Sequence, residues 1–90
     1  MKFEWDDEKN TTNKKKHGIS FETASKVFND PYYIEVYDID HSLEEDRYIA
    51  IGLVEDVLFV VFTERKEIIR LISARLATEE ERRYYYDSEI

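Results

Sequence analysis

The stretch "RYIAIGLVEDVLFVVFTERKEIIRLISAR", residues 47–75, decides the fold class of this chain. β-branched and aromatic residues recur along it with a period close to two, which is typical of strands. It divides into three predicted strands at 47–54, 57–65 and 67–75. The connections between these strands are so short that each neighbouring pair is expected to form an antiparallel hairpin.

Strand signals also occur nearer the N-terminus, where "KFEW" at 2–5 and "YYIEVYD" at 32–38 predict two more strands. After the last strand, Thr78 is expected to cap a C-terminal helix, with Glu81 at the capping-box position. The predicted element order is β-α-α-β-β-β-β-α in a single domain, 1–90. Because the strands are grouped and the helices lie at the ends, we expect an α+β fold with an antiparallel sheet and helices packed on one face.

Two helices are predicted between the first two strands. Asp6 or the next aspartate caps the first helix, which runs to about Lys16 and ends at Gly18. Its residues are almost all polar, so we expect it to be exposed. Ser20 caps the second helix, whose apolar residues recur at helical spacing, and "NDP" at 29–31 ends it.

The charge of the chain is negative but unevenly distributed. The net charge is -8 over 90 residues, which by itself argues against nucleic-acid binding. Most of the excess lies in residues 21–46, where one lysine is set against eight acids, whereas residues 1–20 hold five lysines and four acids. A local basic site therefore remains possible in an acidic protein.

Composition excludes several kinds of site. The chain has no cysteine, so disulfides and thiolate metal sites are excluded. The two histidines, His17 and His41, lie too far apart in sequence to suggest a metal site, and we predict no cofactor. The acidic start is unlike a signal peptide, and the apolar run at 57–62 is too short to span a bilayer. We therefore expect a cytoplasmic location.

Several short motifs occur in a fixed order along nearly the whole chain. They lie in "FEWDDEKNTTNKKKHGISFETASKVFNDP" at 3–31, "EEDRYIAIG" at 44–52 and "VVFTERKEIIRLISARLATEEERRYY" at 60–85. In this order and spacing they resemble the BrnT family of type II toxins, in which F-E-W-D, K-H-G-[VI]-S-F-E-x-A, V-F-x-D-P, E-x-R-[FY]-x-x-[IL]-G and T-E-R…I-R-[IL]-I-S-A-R-x-A-T-x-x-E-R-x-x-Y recur.

The resemblance implies a RelE-like fold and the toxin of a type II toxin–antitoxin system. It implies a metal-independent endoribonuclease that acts on RNA, inhibits translation and arrests growth. It also implies a partner, a BrnA-like antitoxin with a ribbon-helix-helix part, so that this chain would meet DNA only through the antitoxin.

Metal-independent RNA cleavage needs a base for the 2′-hydroxyl proton, an acid for the leaving 5′-oxygen, and cations for the phosphorane charge. The family's K-H-G falls on Lys16 and His17, which are therefore the first catalytic candidates. The alternative for both is a helix C-terminus where cations meet the helix dipole. We adopt that alternative for the preceding Lys14 and Lys15.

Four arginines lie on or beside the predicted strands. Arg47 and Arg75 have the best-matching motifs and are predicted to hold the scissile phosphate, while Arg65, Arg70 and Glu64 are predicted RNA contacts. The alternative is a set of separate surface ion pairs, which typically contribute about 0–1 kcal/mol each. Glu64 is alternatively a solvated turn residue. Arg70 is alternatively structural, because it shares strand parity with neighbouring isoleucines.

Aromatic residues are expected to serve mainly in packing. Trp5 belongs to a predicted strand and is expected in the core rather than stacked on a base. Tyr84 and Tyr85, together with Ile90, are expected to form the packed face of the last helix or a surface for a partner.

Two positions depart from the family's pattern. Leu76 stands where a cation is common, and Phe62 stands where a histidine or tyrosine is common. A lost cation, a lost polar ring and the acidic net charge favour a second hypothesis, a toxin-like domain that binds its partner but cleaves slowly or not at all. A third hypothesis is a protein-interaction domain with no toxin history.

Overall fold

The computed structural model describes residues 1–88, so Ile90 lies outside the described residues. Within this range five strands form one sheet: β1 (Lys2–Glu4), β2 (Ile34–Tyr37), β3 (Tyr48–Val54), β4 (Asp56–Arg65) and β5 (Ile68–Leu76). Three α-helices accompany it: α1 (Asp7–His17), α2 (Phe21–Ala24), which continues into the 3-10 turn Ser25–Asn29, and α3 (Glu79–Asp87). A second 3-10 turn spans Ile39–His41. The predicted α+β class is confirmed.

The strand order across the sheet is β1-β5-β4-β3-β2. The four strands from β2 to β5 are antiparallel to their neighbours, as predicted, but β1 runs parallel to β5. The expectation of a wholly antiparallel sheet is therefore wrong at one edge. No hairpin joins β1 to β5, because both helices and three strands intervene, so nothing forces an antiparallel arrangement on that pair.

The helix termini follow the local sequence signals. Asp6 accepts hydrogen bonds from two backbone N–H groups at the start of α1, and Ser20 does the same once for α2. Thr78 and Glu81 form the predicted capping box of α3. Gly18 ends α1 with a φ of 72°, a left-handed conformation that glycine adopts without steric cost.

The main core lies on one face of the sheet. It joins Phe21, Ala24 and Val27 to the strand residues that point the same way: Ala50, Leu58, Val60, Phe62, Leu71 and Ala74. Gly52 allows the closest approach, because a Cβ there would lie 3.0 Å from both Val27 and Tyr33. Trp5 packs against this core with its ring edge-on to Phe21, as predicted.

The third helix lies on the other face, so the expectation that all helices pack on one face is wrong. Tyr85 of α3 is buried against Ile51 and Val57. Strand alternation places these two residues opposite the main core. Because α1 and α2 already cover the first face, α3 can bury its single inward residue only on the second. Tyr84 is 53 % exposed and so is not part of the packed face.

One residue of α1 departs from the expected exposure. Asn13 is only 7 % exposed, and its side-chain amide donates to the carbonyl oxygens of Ile19 (2.9 Å) and Ala74 (2.8 Å). Its oxygen accepts from the backbone N–H of Ala74 at 3.1 Å. Since β1 pairs with β5 only as far as Arg70, Ala74 lies on a free strand edge. The Asn13 amide therefore provides hydrogen-bond partners for the backbone N–H and C=O at this free edge, and it holds α1 beside β5.

A β-bulge in β5 changes which residues share a face. Val61 lies opposite Ser73 and Phe62 lies opposite Leu71, so Ile72 has no partner on β4. The extra residue reverses the alternation of β5 at that point. As a result Arg70 and Arg75, five residues apart, lie on the same face of the sheet.

Candidate functional site

Lys16 and His17 line a surface cleft between α1 and the edge of β5, together with Ile72 and Ser73 on the strand side. Asn13 belongs to the same helix face, because residues three and four positions apart are neighbours on a helix. Its hydrogen bonds to Ala74 therefore place the predicted catalytic pair next to the bulge. Both side chains of the pair are exposed to solvent.

Arg75 lies two residues beyond Ser73 on the same face of β5, which corresponds to about 7 Å along the strand. Its guanidinium stacks over the Phe59 ring, 3.9 Å from the centroid. It donates one hydrogen bond to each carboxylate oxygen of Glu81 at 2.8 and 3.0 Å, and another to the carbonyl of Leu76. The side chain is thus held rigidly while remaining 35 % exposed.

Glu81 therefore has two roles. One of its oxygens also accepts the backbone N–H of Thr78, which closes the capping box of α3. Hydrogen bonding to Arg75 lowers the pKa of Glu81 below its ordinary value, partial burial opposes this, and the Thr78 contacts add to the lowering. The sequence indicates only the capping role of Glu81, through its three-residue spacing from Thr78.

Arg70 and Arg65 also meet carboxylates. Arg70 forms an ion pair of 2.6 Å with Glu4 across the β1–β5 pair, on the face that carries Arg75. Arg65, at the end of β4, pairs with Glu45 at 3.1 Å. These contacts agree with the structural alternative for Arg70 and with the surface ion pair for Arg65, although neither excludes a contact with RNA.

Arg47 lies just before β3 and lines a second cleft with Arg65, next to the acidic loop. Its backbone is fixed by Ser42, whose hydroxyl accepts the Arg47 N–H at 2.9 Å. Within residues 1–88 its guanidinium forms no ion pair. The cleft also contains Asp40, Glu44 and Glu45, so its charge is mixed.

Glu64 lies on the opposite face of the sheet from Arg65, Arg70 and Arg75. It lies opposite Ile69, whose side chain is in the main core, so alternation directs Glu64 to the face of α1 and α2. Its charge helps to raise the pKa values of Tyr33 and Tyr48, in both cases after the larger effect of burial. The structure thus brings Lys16 and His17 to the bulge of β5, with Arg75 further along the same strand, and places Arg47 and Arg65 at a separate cleft. Glu64 lines neither of these two clefts.

The two departures from the family pattern occupy different environments. Phe62 is fully buried, edge-on to Phe28 and stacked on Tyr48, so its ring belongs to the core and not to a substrate surface. The expectation that a polar ring lost at Phe62 weakens RNA binding or catalysis stays a prediction, and the burial of Phe62 does not support it. Leu76 is 54 % exposed at the end of β5, where a longer cationic side chain would be accessible.

No cluster of three or more potential metal ligands occurs among residues 1–88. In that same range no helix is long and apolar enough to cross a membrane.

Comparisons with known proteins agree on one relationship. The sequence profile of a family described as "Ribonuclease toxin, BrnT, of type II toxin-antitoxin system" matches residues 5–81. The crystal structure of the Brucella abortus ribonuclease toxin BrnT superposes with a TM-score of 0.67 and 27% sequence identity, covering 88% of this chain and 99% of that chain. No curated protein matches the sequence.

Proposed function

Because this chain belongs to the BrnT family of ribonuclease toxins of type II toxin–antitoxin systems, we propose that it is an endoribonuclease that uses the 2′-hydroxyl of RNA as nucleophile and thereby inhibits translation. The observation that carries the proposal is the family match over residues 5–81, which includes every predicted site residue. The cleft around Lys16, His17 and Ser73, with Arg75 beside it, supports it.

In the proposed reaction the 2′-oxygen attacks the adjacent phosphorus and the bond to the 5′-oxygen breaks. The 2′-hydroxyl loses a proton and the 5′-oxygen gains one, so the products are a 2′,3′-cyclic phosphate and a 5′-hydroxyl. His17 carries one of these protons, because histidine exchanges protons near neutral pH. Lys16 neutralises charge that develops on the phosphorane and Arg75 holds the phosphate, whereas Arg47, at the separate cleft, contacts the RNA backbone away from the scissile bond.

The family also implies an antitoxin partner. We propose that this partner is of the ribbon-helix-helix type and that it covers the cationic groups around the bulge of β5 with acidic residues. Affinity for the antitoxin should then fall as the salt concentration rises.

The test replaces His17 with alanine, with His41→Ala as the control because His41 is the other histidine and is exposed in the 3-10 turn Ile39–His41, at the separate cleft. His17→Ala should lower RNA cleavage about 100-fold or more and relieve growth arrest, without changing thermal stability. Cleavage of an RNA with sulfur in place of the leaving 5′-oxygen needs no acid, so recovery of His17→Ala on that substrate identifies His17 as the acid. Full toxicity of a folded His17→Ala protein would contradict the assignment.

A second function is favoured by one observation: the guanidinium groups of Arg65, Arg70 and Arg75 are each engaged by a carboxylate of the same chain. Together with the net charge of -8, this suits a toxin-like module that binds its antitoxin but cleaves slowly. Incubation of bulk RNA with micromolar, antitoxin-free protein separates the two. Intact RNA together with tight antitoxin binding would favour the module.

A further inference from the structure

The lysines of α1 include the longest run of consecutive cations in the chain, Lys14–Lys16. Lys9, Lys14, Lys15 and Lys16 form no ion pair with any carboxylate in residues 1–88, although the chain carries 21 acids. The ion-paired cations are instead Arg65, Arg70, Arg75, Arg82 and Arg83, with His41 beside Asp38. Lys2, Lys26, Lys66 and Arg47 form no ion pair in residues 1–88 either, so what distinguishes the end of α1 is that three such lysines are consecutive.

These cations line two clefts, one on each side of α1. Lys16 and His17 line the cleft against β5 described above, and Lys14 and Lys15 line another, between α1 and the start of α2, with Thr11 and Ser20. Gly18 ends the helix that separates the two clefts. A Cβ at Gly18 would meet no atom within 4 Å, so the surface at this point of the helix end is open.

Negative charge near this surface is limited. Asp6 and Glu8 line the cleft of Lys16 and His17, but they belong to the start of α1, and the eleven residues of the helix separate its ends by about 16 Å. That is about twice the screening length at physiological salt. Glu22 lines the cleft with Lys14, but its carboxylate is held by the Asn10 amide at 2.9 Å, which is the main cause of its lowered pKa, with Lys14 contributing less.

We infer that Lys14 and Lys15 form a phosphate-binding subsite for single-stranded RNA, which lies across Gly18 from the cleft of Lys16 and His17. The inference rests on the proposed ribonuclease function. It extends that function because it gives these lysines a role in RNA binding in addition to stabilising the helix end. The subsite binds the RNA backbone without regard to base sequence, because ammonium groups contact phosphates and not base edges. It raises affinity for RNA without taking part in proton transfer.

The experiment compares Lys14→Gln/Lys15→Gln with Lys2→Gln/Lys26→Gln. The control removes two exposed lysines from other elements and changes the net charge equally. The probe is a single-stranded 2′-O-methyl oligonucleotide, which lacks the nucleophile and cannot be cleaved. Its dissociation constant is measured by fluorescence anisotropy over a range of potassium chloride concentrations, and kcat and KM are measured on the same sequence as RNA.

Loss of two phosphate contacts should reduce the slope of log affinity against log salt by about 1.4 and weaken binding about tenfold near 0.15 M salt. KM should rise by a similar factor while kcat changes little, and the control should resemble the wild type. Equal slopes and affinities for the two double variants would overturn the subsite, as would weakened binding of the antitoxin alone. If the oligonucleotide binds through Lys14 and Lys15 but the wild type cleaves nothing, the subsite stands and the ribonuclease proposal fails.

Discussion

Replacing Asn13 with alanine should destabilise the fold more than any other single change on the polar surface of α1. The side chain is the only direct hydrogen-bonded link, among the bonds described for residues 1–88, between α1 and the edge of β5. Alanine has a higher helix propensity than asparagine, by up to about 0.7 kcal/mol, so the measured loss is a lower bound on the effect of removing the amide.

The magnitude follows from three hydrogen bonds at 2.8, 2.9 and 3.1 Å. At about 1 kcal/mol net for each bond, the variant should lose about 3 kcal/mol of the free energy of unfolding. The N–H and C=O of Ala74 and the C=O of Ile19 would also be left without the amide, which works in the same direction. For a domain of this size, 3 kcal/mol corresponds to a fall in Tm of about 12–24 °C.

Urea unfolding and thermal unfolding, both followed by circular dichroism, measure the change. Thr12→Ala is the matched control, because Thr12 is the exposed neighbour on the same helix. Asn13→Asp keeps the acceptor but places a carboxylate against two carbonyl oxygens, so it should be at least as damaging at neutral pH and partly recover in acid. A loss below about 1 kcal/mol for Asn13→Ala would refute the edge-anchoring argument.

Two further predictions concern the β4–β5 turn and α3. Lys66 and Glu67 both have left-handed φ values, 50° and 70°, which are strained for residues with a side chain. Replacing the pair with Asn-Gly should raise the free energy of unfolding by about 1 kcal/mol and Tm by about 4–8 °C, whereas Glu67→Ala should not raise them. An unchanged Tm of the Asn-Gly variant would contradict the strain. Because Arg75 lowers the folded-state pKa of Glu81 below its usual 4.5, the ionised carboxylate stabilises the fold above that pH and this contribution is lost as the pH falls through the lowered value. The stability gap between wild type and Glu81→Gln should therefore narrow in acid in urea titrations, unlike that of Glu80→Gln, and a gap independent of pH would refute the coupling.

Local signals in the sequence predicted local structure well. The caps at Asp6, Ser20 and Thr78 and the stop at Gly18 all lie where the side-chain chemistry indicated, because a cap is satisfied within three or four residues. The strands were predictable as well, because their apolar pattern is also a local signal. The burial of Asn13 was not predictable, because it depends on a strand edge 61 residues away in sequence.

The candidate site shows the same limit. Sequence motifs selected Lys16, His17 and Arg75, but strict alternation would place Arg70 and Arg75 on opposite faces of β5. The bulge at Ile72 places both arginines on the same face, and no residue of the segment predicts a bulge there. The carboxylate partners of the arginines could not be assigned either, since Glu4 and Glu81 reach them from other elements.

One oxygen of Glu81 joins the start of α3 to Arg75, since it accepts hydrogen bonds from both the Thr78 N–H and the guanidinium. The stability of the helix cap and the orientation of Arg75 are therefore coupled through this one oxygen. Such a coupling is reciprocal, so each affects the other by the same free energy. A ligand that draws Arg75 away from Glu81 destabilises the first turn of α3. Fraying of that turn, in return, raises the affinity for the ligand, and the two effects are equal in free energy. Amide hydrogen exchange at the start of α3 thereby reports on the occupancy of Arg75.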